Sequence, residues 1–407
     1  TGPLLPPNYA RRRALAARRG RIRPRGLPRK QVFALSTPSF THPDSPLSQL
    51  LPYGWDERIA GDVAALGLPQ HAAGAQAARV LRAERTACEA ITPDGIVRVD
   101  LAGARSAGTQ PAPTTGDWIV VTAPEPGQAR RLVAMLPRRT ELHRGGSGGA
   151  SRVQVLAANV DTVLVAVSLA SALRHARTER LLSLAWSSGA TPVLVATKAD
   201  LCPDPEAALE ELREVALGVD LVLTSAATGE GVDRLRKLAV GTVALLGPSG
   251  AGKSTLGNAL LGEERLDTGA IREADGRGRH TTAWRELLPL PGGGVLLDTP
   301  GLRSVGMSGD EEGLERTFGD IEELALRCRF ADCEHRTEPD CAVLAAIDEG
   351  ALSERRLASY RKLLRENAWQ ASRSDALLRQ EIGAKWKSVA KSHRAMKREI
   401  KRRDTGR

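Results

Sequence analysis

The octapeptide Gly247-Pro248-Ser249-Gly250-Ala251-Gly252-Lys253-Ser254 constrains the fold of this chain more than any other stretch. It follows a β-branched run at 242–246 and precedes a helical pattern at 255–261. That is the strand–loop–helix setting in which glycines let backbone N–H groups close on phosphates. In such a loop Lys253 reaches the β- and γ-phosphates, the Ser254 hydroxyl ligates Mg²⁺, and Thr255 opens the helix. The loop needs a buried parallel strand in front of it, and the neighbouring sequence supplies more of the same. Near-continuous β-branched runs at 160–168, 193–196, 221–223, 242–246 and 295–297 alternate with helical patterns. Runs of this kind are strands covered on both faces, so residues 151–317 read as a doubly wound α/β domain.

Three further motifs fall at strand ends. Asp298-Thr299-Pro300-Gly301 closes the run at 295–297; Asp298 can hold the metal's water shell, and Gly301 leaves room for its N–H to meet a γ-phosphate. Thr197-Lys198-Ala199-Asp200 closes the run at 193–196, and Thr224-Ser225-Ala226 the one at 221–223. A carboxylate at Asp200 accepts from the N1–H and 2-amino group of guanine, whereas adenine leaves it unpaired; this discriminates GTP from ATP. The Lys198 stem then lies over the ring, and the Ala226 N–H meets O6. Between the phosphate loop and Asp298 runs the basic stretch Gly276-Arg277-Gly278-Arg279-His280-Thr281-Thr282, where Thr282 can complete the Mg²⁺ shell as a first switch. The position after the DTPG is Leu302, which cannot hold a water, so His280 becomes the candidate for orienting the attacking water.

The remainder of the 407 residues divides by composition. Residues 1–50 are rich in Pro and Arg with no acidic residue before Asp44, and read as a disordered basic tail; the prolines oppose the amphipathic helix of a transit peptide. A helical lead-in, with a helix at 56–66, occupies 51–75. Strand-like runs at 79–91, 95–101, 117–122 and 131–136 then suggest a small β-barrel of the OB type over 76–145, followed by a Gly/Ser hinge at 145–151. Past 317 come short helices around Cys328, Cys333, His335 and Cys341, over 318–375, then a basic helical tail over 376–407. Three thiolates and one imidazole form a closed tetrahedral set suited to structural zinc, one ion per chain. Cys88 and Cys202 stand apart as ordinary thiols.

A net charge of +10 with only 3% aromatic residues favours a polyanion held through phosphate contacts rather than stacked bases. No apolar stretch is long enough for a bilayer, and the beginning of the sequence lacks the apolar core of a signal peptide, so a soluble protein with no membrane partner is expected.

The base-reading motif precedes the phosphate loop, the reverse of the usual order. Together with Gly116-Asp117, Leu136-Pro137-Arg138-Arg139, Ala157-Ala158-Asn159-Val160-Asp161, the Gly-Arg-His-Thr-Thr switch and the Cys/His cluster, this order resembles the RsgA/YjeQ family of circularly permuted GTPases. The resemblance implies an N-terminal OB-fold barrel, a central permuted P-loop GTPase and a C-terminal α-helical zinc-binding domain. It implies GTP and GDP, Mg²⁺ and Zn²⁺ as ligands, His280 with Lys253 and Thr282 in catalysis, and late maturation of the 30S ribosomal subunit through 16S rRNA. A cytoplasmic monomer is expected. Two departures stand out: Thr197 occupies the place of the usual Asn, removing an amide, and the tail over 1–46 has no counterpart. The alternative is an rRNA-binding assembly module whose nucleotide sets conformation with little turnover.

Overall fold

A computed structural model describes residues 47–68, 74–101, 112–125, 127–144, 154–267, 286–298 and 311–374. It forms two compact units, one spanning 26–147 with 151–317 and the other running from Phe318 onward. The two basic ends, 1–46 and 375–407, and the Gly/Ser hinge at 145–151 lie outside the described residues.

In the first unit, the lead-in holds a 3-10 turn, Leu51–Tyr53, and helix α1, Glu57–Ala65. Asp56 caps α1 by accepting from the Ile59 N–H at 2.8 Å, satisfying one of the free donors at the helix start. Five strands follow: β1 (Gln76–Ala83), β2 (Ala87–Thr92), β3 (Gly95–Asp100), β4 (Trp118–Val121) and β5 (Arg130–Met135). They close into a barrel in the order β1-β2-β3-β5-β4, with β3 and β5 parallel and the other pairs antiparallel. Closure pairs every edge, and alternate residues such as Ala78, Val80, Cys88, Ala90, Ile119 and Val121 fill the interior. The run expected as one strand at 79–91 is a hairpin instead, with Arg79 opposite Ile91 and Ala83 opposite Cys88. Its turn, Glu84-Arg85-Thr86, contains neither Gly nor Pro, so only its polar composition betrays it.

A hairpin of β6 (Glu141–Arg144) and β7 (Gln154–Ala158), unanticipated from the sequence, leads into the second half of this unit. There β8 (Thr162–Ser168), α2 (His175–Ser187), β9 (Thr191–Thr197), α3 (Pro205–Arg213), β10 (Asp220–Leu223), α4 (Val232–Leu238), β11 (Thr242–Leu246) and α5 (Lys253–Leu261) alternate as expected. After them come β12 (Glu286–Pro289), β13 (Val295–Asp298) and α6 (Glu311–Thr317). The sheet order is β10-β9-β8-β11-β13-β12, parallel throughout except for β12 against β13. β12 is four residues long and ends in a proline, a residue an edge strand tolerates and a central one does not. Chain direction across the sheet reverses between β8 and β11. Such a switch point opens a crevice at the carboxyl ends of the strands, where ligands of open α/β sheets bind.

The barrel and this sheet meet through a polar seam. Gly116 has φ +94°, and a Cβ there would lie 2.1 Å from the Ala158 carbonyl oxygen. The Asn159 amide donates to the Gly116 carbonyl at 3.0 Å and accepts from the Arg139 N–H at 3.1 Å. Asp117, fully buried, takes a two-pronged bond from Arg138 at 2.7 and 2.8 Å and a third from the Thr114 N–H at 2.7 Å. Burial pushes the Asp117 carboxyl above its ordinary range, against the pull of that guanidinium.

In the second unit, α7 (Gly319–Ala325), α8 (Ala342–Asp348) and α9 (Glu354–Ser374) pack around Phe318 and Tyr360, whose ring centres are 5.3 Å apart. Arg356 lies over the Phe318 ring and pairs with Asp320 at 2.6 Å, so its buried charge is matched.

Gly116→Ala is expected to lower unfolding stability by about 2–3 kcal/mol, because left-handed strain and a carbonyl clash add. Gly95→Ala, at φ +110° with nothing within 4 Å of the new Cβ, carries the strain alone and should cost less. Urea midpoints of both variants check the difference.

Candidate functional site

The five parallel strands end on one edge of the sheet, and their carboxyl ends carry the motifs. Leu246 at the end of β11 runs into the phosphate loop, Thr197 ends β9, Leu223 ends β10 and Asp298 ends β13. Residues up to about a hundred positions apart in sequence are thus brought to one crevice by strand parallelism alone.

The loop from Gly247 to Ser254 wraps from β11 to the start of α5. Gly247 has φ +151°, and a Cβ there would lie 2.6 Å from the Ala166 carbonyl of the neighbouring strand, so only glycine lets β11 turn out of the sheet at that point. Gly250 and Gly252 also have positive φ. Ser249, Gly250 and Thr255 are exposed, Pro248, Gly252, Lys253 and Ser254 half-buried, and Ala251 buried. The Lys253 ammonium donates to the carbonyls of Gly247 and Pro248 at 2.8 and 2.7 Å, bracing the loop across its mouth.

The residues that the sequence points to for reading the base assemble beside it. Asp200 is exposed, and its Oδ1 accepts from the Ser225 hydroxyl at 2.5 Å, which fixes the carboxylate on the loop after β10. The Ala199 N–H bonds the Thr224 carbonyl at 3.1 Å, and the Thr224 N–H bonds Ala196 O at 2.7 Å, holding the two loops in register. Lys198 sits in the left-handed region with φ +61°; its Cε comes within 3.8 Å of where a Cβ on Gly252 would be, so its stem runs along the phosphate loop. Ala226 is half-buried on the same rim.

Thr197 is buried, and its hydroxyl donates to the Ala251 carbonyl at 2.8 Å, with Val167 O at 3.2 Å. One side-chain oxygen therefore ties the base-reading strand to the phosphate loop. Asp298 is half-buried at the end of β13, next but one to the phosphate-loop strand's other neighbour β8. His280, Thr282, Gly301 and Leu302 lie outside the described residues.

In the second unit Cys328, Cys333, His335 and Cys341 present ligand atoms all within 4.8 Å of one another. The Sγ atoms of Cys328 and Cys341 are 3.8 Å apart, and His335 Nδ1 lies 3.6 and 3.4 Å from them. A tetrahedral zinc with ordinary Zn–S and Zn–N lengths requires S···S of about 3.8 Å and S···N of about 3.6 Å. The cluster fits that shell, and its sulfurs are too far apart for a disulfide. Two supports for it carried no sequence signal. The Glu338 carboxylate accepts from the N–H groups of Glu334, Arg336 and Thr337, and although burial would raise it, these donors hold it below its ordinary range. Arg361 reaches from α9 to the carbonyls of Glu334 and His335, and His335 itself has φ +58°.

A phosphate loop, a guanine-type reading loop and a DTPG carried in this chain order on a parallel sheet define a circularly permuted GTPase. The family model described as RsgA GTPase matches residues 135–308. The Small ribosomal subunit biogenesis GTPase RsgA of Streptomyces coelicolor is 51% identical over 345 residues, covering 84% of this chain and 92% of that protein. Its namesake from Opitutus terrae is 42% identical over 359 residues, covering 85% and 97%. Among solved structures, YjeQ from Thermotoga maritima superposes with a TM-score of 0.55 at 25% identity, over 72% of this chain and 98% of that one. YloQ, described as a circularly permuted GTPase, shares the fold with a TM-score of 0.53. The chain belongs to the RsgA family of GTPases.

Ser225→Ala frees the Asp200 carboxylate to swing. GDP affinity should fall about 5–10-fold, the worth of one charge-assisted hydrogen bond, with no gain in ATP binding. Titration with a fluorescent GDP analogue and with ATP reads both. For the cluster, freshly purified protein should hold one zinc per chain, and Cys333→Ser should lose it while GDP affinity is retained; elemental analysis and the same titration check this.

Proposed function

We propose that this GTPase hydrolyses GTP to GDP and phosphate during late maturation of the 30S ribosomal subunit, and that the subunit stimulates the reaction. The observation that carries the proposal is the convergence of Asp200, Lys253, Ser254 and Asp298 on one edge of the sheet, in a chain 51% identical to a relative named for small-subunit biogenesis. The net charge of +10 supports a partner rich in phosphate, which for this partner is 16S rRNA. Among the described residues no helix is long and apolar enough to cross a membrane, in keeping with a cytoplasmic site of action; we take the protein to act as a monomer.

In this reading Asp200 accepts from the guanine edge, Lys198 covers the ring, and Thr197, Ser225 and Ala226 position the two reading loops. The backbone from Gly247 to Thr255 cradles the phosphates and Lys253 neutralises charge on the β- and γ-oxygens. Ser254, Thr282 and Asp298 would hold Mg²⁺, which when bound would neutralise phosphate charge. Gly301 gives its N–H to the γ-phosphate. His280 orients a water for in-line attack on the γ-phosphorus; the bond from that phosphorus to the β,γ-bridging oxygen breaks, leaving GDP and phosphate. The zinc set of Cys328, Cys333, His335 and Cys341 is structural. We adopt the division into lead-in 51–75, barrel 76–145, GTPase 151–317 and zinc-binding domain 318–375, flanked by the basic segments 1–50 and 376–407.

His280→Ala should bind GTP and 30S subunits like the parent yet lose most of the stimulated turnover, a fall of roughly 10²–10⁴-fold if water orientation is its task. Phosphate release at saturating 30S, measured beside the affinity for the subunit, tests this. Near-normal stimulated turnover overturns the assignment.

A further inference from the structure

Three sequence motifs have no part in the nucleotide site: Gly116-Asp117, Leu136-Pro137-Arg138-Arg139 and Ala157-Ala158-Asn159-Val160-Asp161. All three lie in the seam between barrel and sheet, and Arg79 crosses that seam. Arg79 belongs to barrel strand β1, yet it is only 2% exposed. Its guanidinium donates to the Thr242 hydroxyl at 2.6 Å, to the Asn159 carbonyl at 3.4 Å and to the Tyr53 carbonyl, and it lies over the Trp118 ring at 5.2 Å.

Thr242 is the first residue of β11, the strand that delivers the phosphate loop at its other end. The residue is held hard in place: its N–H donates to Asp161 Oδ2 at 2.7 Å, and its carbonyl accepts from the Asp161 N–H at 2.8 Å. A Cβ on the preceding Gly241 would lie 2.3 Å from the same carboxylate. The cation is costly to bury; desolvation pulls its pKa down to about 10 against the fields of Asp161, Asp117 and Asp56. A buried fork whose acceptors sit in the lead-in, the β7–β8 connection and β11 is a poor device for stabilising the barrel alone, since an apolar side chain would fill the same place without that penalty. It suits a joint that must bind separate elements in one geometry.

We propose that Arg79 is a positioning residue that makes the barrel and the nucleotide-binding sheet a single cooperative unit, so that nucleotide occupancy is felt in the barrel. Linkage makes the effect reciprocal: a partner that binds the barrel acts on the phosphate-loop strand with the same coupling. Under the proposed function that partner is the ribosomal subunit, and the coupling is the route by which barrel contact reaches the GTPase. The inference itself needs only nucleotide binding.

Hydrogen exchange on the full chain with and without GDP tests it. At GDP one hundred times above its Kd, amides that exchange through opening of the joint unit slow about a hundredfold. In the parent protein, β1 and β4 of the barrel should slow alongside β8 and β11. In Arg79→Met the sheet strands should still slow while the barrel strands change less than about twofold. Thr242→Val removes the acceptor from the sheet side and keeps a strand-forming shape, so it should uncouple the barrel without touching the barrel itself. Combining the two substitutions should add nothing further. Barrel amides that ignore GDP in the parent, or that slow fully in both single variants, overturn the proposal. GDP protection of β11 reports nucleotide binding separately, so a failure of that reading is distinguishable from a failure of the joint.

Discussion

The carboxylate of Asp161 fixes the starts of the strands whose far ends form the site. Its side chain accepts from the Thr242 N–H, its own N–H bonds Thr242 O, and its carbonyl accepts from the Thr191 N–H at 2.9 Å. The residue thereby sets the mutual register of β8, β9 and β11 before any of them reaches the crevice. Because the strands are parallel, a register fixed at the foot carries to the tip: Thr197 stands opposite Ser168, and Leu246, from which the phosphate loop departs, stands opposite Val165. The Thr197–Ala251 bond closes the same frame at the opposite end. Between them the two contacts make the distance from base-reading loop to phosphate loop a property of a rigid sheet rather than of flexible connections.

Chain order is immaterial to such a frame. A loop reads a base or a phosphate by where its strand ends, and the sheet presents the same edge whichever strand is translated first. The rearranged order nevertheless puts β8 where a first strand would stand, directly behind the barrel, and thereby creates the seam. Motifs that look idle from the nucleotide site, such as Gly116-Asp117 and Asn159, have their physical reason there: a left-handed turn, a buried ion pair and a bridging amide that let a barrel abut a sheet.

The parallel sheet was legible in the sequence because strands buried on both faces leave unbroken apolar runs, as in Thr162–Ser168 and Thr242–Leu246. The phosphate loop, the reading loops and the Cys/His cluster were legible because their chemistry demands particular residues at particular spacing. What escaped detection was held by context. The Glu84-Arg85-Thr86 turn has no breaker residue, β6 and β7 are short pieces on either side of a Gly/Ser segment, and β12 owes its existence to an antiparallel neighbour. Arg79 escaped as well, since an arginine in an alternating strand reads as an outward-facing residue until the sheet that buries it is placed beside it. The supports of the Cys/His cluster, Glu338 and Arg361, act through backbone groups that any residue possesses, so no pattern of types marks them.

The position of β8 has a consequence for how the chain is made. β8 is an almost wholly buried strand with a neighbour on each side, β9 and β11. During synthesis β9 follows it closely, whereas β11 emerges only after α3, β10 and α4 have left the ribosome. Until then the apolar edge of β8 has no partner, and unpaired apolar edges are what templates aggregation. An unpermuted chain would make the phosphate-loop strand first and expose a different edge. The rearrangement that leaves the finished site unchanged therefore relocates the vulnerable moment of the nascent protein to the interval between its base-reading half and its phosphate-binding half.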